Sequence, residues 1–365
     1  MSTTKRIEYI DALRGFTMIL VVTWHIYALC IMHIGDVLLF EEYDLSYNNF
    51  FRLFRMPLFY FISGFVFYKL NRQWNIPTLK KFMTSKVRVQ LFSTLVFFLL
   101  YCWLYQKDIM YSIFELHKTG YWFTYVLFVY FVIYIGIDMI ICWICRKTPF
   151  NNITIITSIL AGLILYYSIN NGFLLNLLSP QMTTLLSILK WQYFIFFSLG
   201  CLIHKYYDTF INVQRNNYVK GAILVLFVSC TICIFYQNST VIIIHNYILK
   251  LFAGILGIVL VMFLFKEHES HFSNTTRLGK CLQYIGKHTL DIYFLHYFFL
   301  PYNMSYVGQW LLKYPNPILE FFTSVILALI VISVCLLVSR IIRMSPLLTY
   351  LLLGGKSYQE GKKTV

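Results

Sequence analysis

Charge is what this chain has least of. Asp, Glu, Lys and Arg make up 12% of its 365 residues, about half the share found in a soluble domain. No large water-soluble domain fits between its apolar runs. Linkers rich in Pro, Gly or Ser are absent, as are a fixed-period repeat and any obvious symmetry between the two halves. A nucleotide-cradling loop is also missing, because Gly354-Gly355-Lys356 lacks the spacing such a loop needs. The cysteines number nine, an odd count, and lie mostly inside apolar runs. Cys142-Trp-Ile-Cys145 and Cys230-Thr-Ile-Cys233 have zinc-like spacing, yet no His or Cys cluster matches them. They read as buried structural thiols, and no metal is expected. Asp11 and Arg14 interrupt the first apolar run and no small-residue cleavage site follows His25, so that run reads as a retained helix, not a signal peptide.

Hydrophobic residues, by contrast, make up 59% of the chain. Runs long enough to span a bilayer fall near 8–31, 51–69, 87–105, 121–145, 151–170, 182–204, 218–236, 243–265, 282–303 and 318–343. The sixth is the weakest, interrupted by Lys190 and Gln192. The expected fold class is all-α: a polytopic membrane helical bundle of about ten transmembrane helices. It would form a single domain over residues 1–345, followed by a short basic tail over 346–365.

Basic residues set the orientation. With the amino terminus inside, the inner segments collect 22 of the 30 Lys and Arg, while the outer ends and loops hold seven and Arg14 lies within helix one. That asymmetry places both termini in the cytoplasm. The net charge of +15 then lies mainly on the cytoplasmic face, where it attracts anionic lipid or a multiply phosphorylated cytosolic substrate. Nucleic acid is not needed to explain it. The first outer loop is acidic instead, with Asp36, Glu41, Glu42 and Asp44.

Ionisable groups inside hydrocarbon are costly and are usually kept for chemistry or a conduction path. Helix one carries Arg14 and His25 with ten residues between them. Eleven steps make about three turns, so both side chains share one face, ~16 Å apart along the axis. A guanidinium near one membrane surface and an imidazole above it form an anion anchor plus a proton-transfer or acyl-accepting group. The bland alternatives are a snorkelling arginine and a histidine hydrogen-bonded to a neighbouring helix. Asp11 stands three residues before Arg14, at ion-pair spacing.

Helix nine reads Ile285-Gly-Lys287-His288-Thr-Leu-Asp291-Ile-Tyr293-Phe-Leu-His296. It runs from the cytoplasm, with Lys287 and His288 at Arg14's level and His296 nearer His25's. Asp291 can share a face with His288 or His296, not both. Matched depths suggest a polar passage between two helices, or a structural polar cluster.

Helix two opens with Arg52 and Arg55, which either read an extracellular substrate or anchor at headgroups; Ser63-Gly64 permits close helix contact. Trp122 and Tyr125 head helix four, as an aromatic belt or a sugar-stacking surface. Lys80, Lys81, Lys86 and Arg88 form the densest inner basic cluster, serving topology or phosphate binding.

These pieces resemble the acyltransferase-3 family of integral membrane acyltransferases over nearly the full length. The matching stretches are Asp11-Ala-Leu-Arg14-Gly15 with its gap to His25, then Pro57 through Ser63-Gly64-Phe65. Trp122-Phe123, Phe196 through Gly200, and Ile285-Gly286 through His296 follow in order. The Arg-x10-His spacing is the most specific. Members often carry an Arg-x-x-Arg after helix two, where this chain reads Lys86-Val-Arg88-Val89.

The resemblance implies transfer of an acyl group, often acetyl, from cytoplasmic acyl-CoA as co-substrate. The acceptor would be a hydroxyl of a surface glycan or its lipid-linked precursor, at a bacterial inner (plasma) membrane. Arg14, His25 and His296 become the expected catalytic residues; Arg14, Lys86, Arg88 and Lys287 the donor-binding ones; Arg55, Trp122 and Tyr125 the acceptor-binding ones. The rival readings are a transporter or flippase of a lipid-linked glycan, using Arg14, Asp291 and His296, and a non-catalytic assembly subunit. Whether the protein forms a homo-oligomer stays open.

Overall fold

The structure, a computed structural model, describes residues 7–34, 37–38, 47–69, 74–114, 120–146, 149, 151–170, 188–236 and 243–354. The acidic residues Asp36, Glu41, Glu42 and Asp44 of the first outer loop, and the basic tail beyond residue 354, lie outside them. In chain order the helices are α1 (Glu8–His25), α2 (Tyr47–Arg52), α3 (Arg55–Phe67), α4 (Ile76–Lys86), α5 (Ser93–Leu104), α6 (Ile109–Phe114), α7 (Phe123–Cys145) and α8 (Asn152–Asn170). They continue with α9 (Phe194–Lys205), α10 (Tyr207–Gln214), α11 (Asn217–Tyr236), α12 (Ile243–Glu267), α13 (Arg277–Lys287), α14 (Thr289–Leu295), α15 (Ser305–Lys313), α16 (Pro317–Ile342) and α17 (Pro346–Leu353). A two-residue antiparallel ladder, His33–Ile34 with Val37–Leu38, interrupts the helical pattern once among the described residues.

Eight helical segments among the described residues are long and apolar enough to cross a membrane: Glu8–Ile31, Phe50–Phe67, Ile76–Leu104, Phe123–Cys145, Asn152–Asn170, Asn217–Phe235, Tyr247–Glu267 and Pro317–Ile342. They correspond to eight of the ten expected spans. The other two do not run as one long helix among the described residues. In the sixth, of which residues 182–187 lie outside them, a 3₁₀ turn at Trp191–Tyr193 follows a left-handed Lys190 and leads into the helix from Phe194. The ninth breaks at His288, whose N–H returns to Ile285 O and whose ring meets Asp291 in the first turn of α14. It ends in a 3₁₀ turn at His296–Phe298, ahead of Pro301.

Large apolar side chains point outward on the long helices, among them Trp103, Trp143, Ile164, Val225 and Leu337. An exposed apolar surface of this kind suits a hydrocarbon solvent, in which every backbone group must be paired within the helix. The paired cysteines follow the same logic and correct an expectation. Cys145 and Cys233 are exposed, and Cys142 and Cys230 only half-buried, because helices α7 and α11 turn those faces outward.

The chain forms two compact units. One comprises Met1–Phe59, Asn217–Val241 and Ile248–Arg340; the other Tyr60–Asn216, Ile242–Tyr247 and Ile341–Val365. In the first, α1 lies against α13 with Gly15 and Gly286 at the crossing. A Cβ on Gly15 would strike the Leu282 carbonyl oxygen, and one on Gly286 the Asp11 carbonyl oxygen. Thr276 starts α13 by accepting from Gly279 N–H at 2.9 Å. Phe16 packs on Phe265, which stacks on Phe272 at 4.2 Å.

In the second unit, α3 and α9 cross at Gly64 and Gly200, where a Cβ would strike Phe197 O and Phe61 O respectively. The same unit is fastened by Asp138, fully buried in α7. Its carboxylate accepts from Trp74 Nε1 at 2.9 Å and from Thr154 Oγ1 at 2.7 Å. Asp138→Ala leaves the buried Thr154 hydroxyl short of a partner, at about 1–3 kcal/mol, and removes a further bond from the half-buried Trp74. A clearly lower thermal midpoint in detergent is the expected outcome, and an unchanged midpoint would contradict it.

Candidate active site

His25 is the last residue of α1, and a π-helical turn, Ile26–Ile31, carries the helix on. Such turns cluster at functional sites. The His25 ring faces two residues at the end of the broken ninth segment. His25 Nε2 lies 3.2 Å from the Tyr297 hydroxyl, and the ring centroids of His25 and His296 are 5.2 Å apart. The His296 and Tyr297 ring centroids are 4.1 Å apart, with the planes tilted by 41°. The Tyr297 carbonyl in turn accepts from the Tyr302 hydroxyl at 2.9 Å.

His296 is fully buried. Its Nδ1 stands 3.0 Å from Ile292 O and 2.9 Å from Tyr293 O. Carbonyl oxygens only accept, so Nδ1 carries the proton and the imidazole is held in one tautomer. That leaves Nε2 as a lone-pair acceptor, and it has no hydrogen-bond partner among the described residues. A buried acceptor without a partner is rare and calls for an explanation.

At the other end of α1, Arg14 pairs with Asp11 at 3.8 Å and donates to Thr289 Oγ1 at 3.1 Å. The matched depths expected of helices one and nine are thus present: Arg14 meets Thr289, and His25 meets His296 and Tyr297. Asp291 takes His288 as its partner at 3.0 Å, and accepts from Ser339 Oγ at 2.6 Å. Lys287 is exposed at the last turn of α13, where a cation complements the helix dipole.

Arg55 is buried, its guanidinium carbon 4.6 Å from the centroid of Trp24, the residue before His25. Arg52 approaches the same ring at 5.7 Å. Trp24 and Tyr297 were invisible as site residues in the sequence, although each is adjacent to a histidine that was singled out.

The remaining expected residues belong to the second unit. Lys86 and Arg88 do not share a target. Two residues apart, they leave the helix on different sides, Arg88 within a π-helical turn, Val87–Phe92. Lys86 Nζ lies over Phe131 at 4.7 Å, while the Arg88 guanidinium lies over Tyr350 of α17 at 5.2 Å. Gly354, left-handed at φ 60°, closes that helix against the backbone of Arg88 and Val89. Trp122 precedes α7 and stacks on Tyr193 at 6.2 Å; Tyr125 is half-buried one turn on. Among the described residues, no group of three His, Cys, Asp or Glu could hold a metal ion.

No curated protein and no solved structure matches the chain. A family model described as an acyltransferase domain matches residues 7–338, which takes in the Arg14–His25 helix, both glycine crossings and the histidine pair. The chain, with eight helices among the described residues long and apolar enough to cross a membrane, belongs to the acyltransferase-3 family of integral membrane acyltransferases.

Proposed function

We propose that this membrane acyltransferase moves an acetyl group from cytoplasmic acetyl-CoA to a hydroxyl of a surface glycan or its lipid-linked precursor, in a bacterial inner membrane with both termini cytoplasmic. The observation that carries the reading is the histidine pair. Two imidazoles lie 5.2 Å apart at the end of a helix that bears a guanidinium about three turns away, and one presents an unpartnered, buried acceptor nitrogen.

In this reading the acceptor hydroxyl gives its proton to His25 as its oxygen attacks the thioester carbonyl. The carbon–sulfur bond breaks, the CoA thiolate leaves, and the imidazolium returns the proton to it. Tyr297 orients the His25 ring, and His296 Nε2 accepts from a neighbouring hydroxyl of the acceptor sugar. The covalent variant places the acetyl group on His25 first, then on the acceptor. Arg14 takes the donor's phosphates through charge-assisted hydrogen bonds, with Lys287 adding positive charge. Arg55, beside Trp24 and so next to His25, contacts the acceptor.

The test is transfer of labelled acetyl from acetyl-CoA to endogenous envelope glycan, in membranes with and without the protein. Label in glycan only where the protein is present is the expected result. If acetyl-CoA gives none, longer acyl-CoA donors decide between a different acyl group and no transfer. No label from any acyl-CoA would overturn the reading and leave a transporter of a lipid-linked glycan.

A further inference from the structure

Lys190 is held in an unusual state. It has left-handed backbone angles, φ 47° and ψ 44°, at a non-glycine position, and is 9% exposed. Conformations of this kind cost free energy and persist where surrounding contacts impose them. Here the contact is Tyr130, whose hydroxyl donates to the Lys190 carbonyl oxygen. The consequence is directional. The ammonium is delivered to 5.7 Å from the Trp122 ring centroid, and no carboxylate among the described residues pairs with it.

Around it lies an aromatic stack. Trp122 and Tyr193 are stacked at 6.2 Å with ring planes 20° apart, and Tyr193 and Tyr60 at 5.2 Å and 13°. Trp122 and Tyr193 are half-buried, which leaves ring area for a ligand. Trp191, next to Lys190, has a buried Nε1–H without a hydrogen-bond partner among the described residues. Every residue in this cluster belongs to the second unit.

The geometry points to a subsite for an acidic sugar of the acceptor glycan, built on Trp122, Tyr193, Lys190 and Trp191. This inference rests on the acceptor being a glycan, and names its chemical class. Flat aromatic faces suit the apolar face of a pyranose ring. The Lys190 ammonium is a donor only and carries a positive charge, so the group it fits best is an anionic acceptor. A sugar carboxylate is such a group, and the desolvated ammonium gains from pairing with it. A neutral sugar satisfies the rings but brings the ammonium no counter-charge.

The experiment is saturation-transfer NMR on the full chain in phosphatidylcholine nanodiscs. The probes are methyl glucuronide and methyl galacturonide, each against its neutral parent glycoside. Preference for at least one acidic member by about tenfold, the worth of a charge-assisted hydrogen bond, is expected. Lys190→Asn removes the charge and tolerates left-handed angles, so it keeps the turn while losing the preference. Lys190→Arg restores a cation and the preference with it. Trp122→Ala weakens acidic and neutral sugars alike.

Equal binding of acidic and neutral sugars overturns the inference, as does a preference that survives Lys190→Asn. Loss of uronide binding in phosphatidylglycerol nanodiscs would assign the cation to a lipid headgroup, and overturn it too. Binding needs no donor. A failed transfer assay with intact uronide preference therefore sinks the proposed reaction alone, and the reverse outcome sinks the subsite alone.

Discussion

Membranes carrying His25→Ala should transfer labelled acetyl about 10²–10⁴-fold more slowly than wild type, the range contributed by a positioned general base. The alanine keeps the helix, since it is the best helix former and His25 sits in the last turn of α1. Protein level and thermal midpoint should change little by comparison. Tyr297→Phe removes one hydrogen bond to the imidazole and keeps the ring, so its loss is smaller, about two- to tenfold. The two variants together separate a base from a bystander. A bystander histidine would give equal rates in His25→Ala and wild type, which would remove it from the mechanism. The covalent variant has its own signature. With acetyl-CoA and no acceptor, a hydroxylamine-sensitive label would build up on wild-type protein and be missing from His25→Ala.

Much of this site was legible because helical periodicity is simple arithmetic. The ten-residue gap between Arg14 and His25 puts them on one face, and α1 is helical throughout that interval. The motif pieces also have a packing meaning that letters alone do not carry. Gly15 and Gly286 come from two separate stretches and meet at one crossing; Gly64 and Gly200 do the same at another. What remained hidden depends on irregular backbone. The break at His288 and the 3₁₀ turn at His296 rotate Tyr297 toward His25, and no periodic reading of helix nine yields that. Lys86 and Arg88 reach different neighbours for a simpler reason: residues two apart on a helix face different sides, so closeness in sequence does not make them one patch. Lys190 looked like a blemish in a span because a left-handed turn and its tertiary cause, Tyr130, are 60 residues apart.

Gly286→Val should cost the most stability of any single change considered, with activity falling alongside it. The Asp11 carbonyl oxygen already occupies the place of the first added carbon, and that oxygen belongs to helix backbone, which cannot rotate aside. Overpacking of this kind costs about 1–3 kcal/mol, and more where backbone is the obstacle. The alternative is for α1 and α13 to move apart. Separation stretches the Arg14–Thr289 hydrogen bond and withdraws His25 from His296 and Tyr297. A displacement of about 1 Å is enough to lower a reaction rate about 100-fold.

Gly286→Ala is the gentler probe, expected to fold with a lower midpoint and reduced transfer. The crossing also makes a prediction that a loss of stability alone does not. Gly15 and Gly286 touch each other's helices at one place, so once either alanine has parted the backbones, the second has less left to disturb. The double alanine variant should therefore lose less stability than the two single losses added together, as coupled neighbours do. Strict additivity in thermal unfolding would mean that the two glycines act separately, and that the crossing does not set the distance between Arg14's helix and the histidine pair.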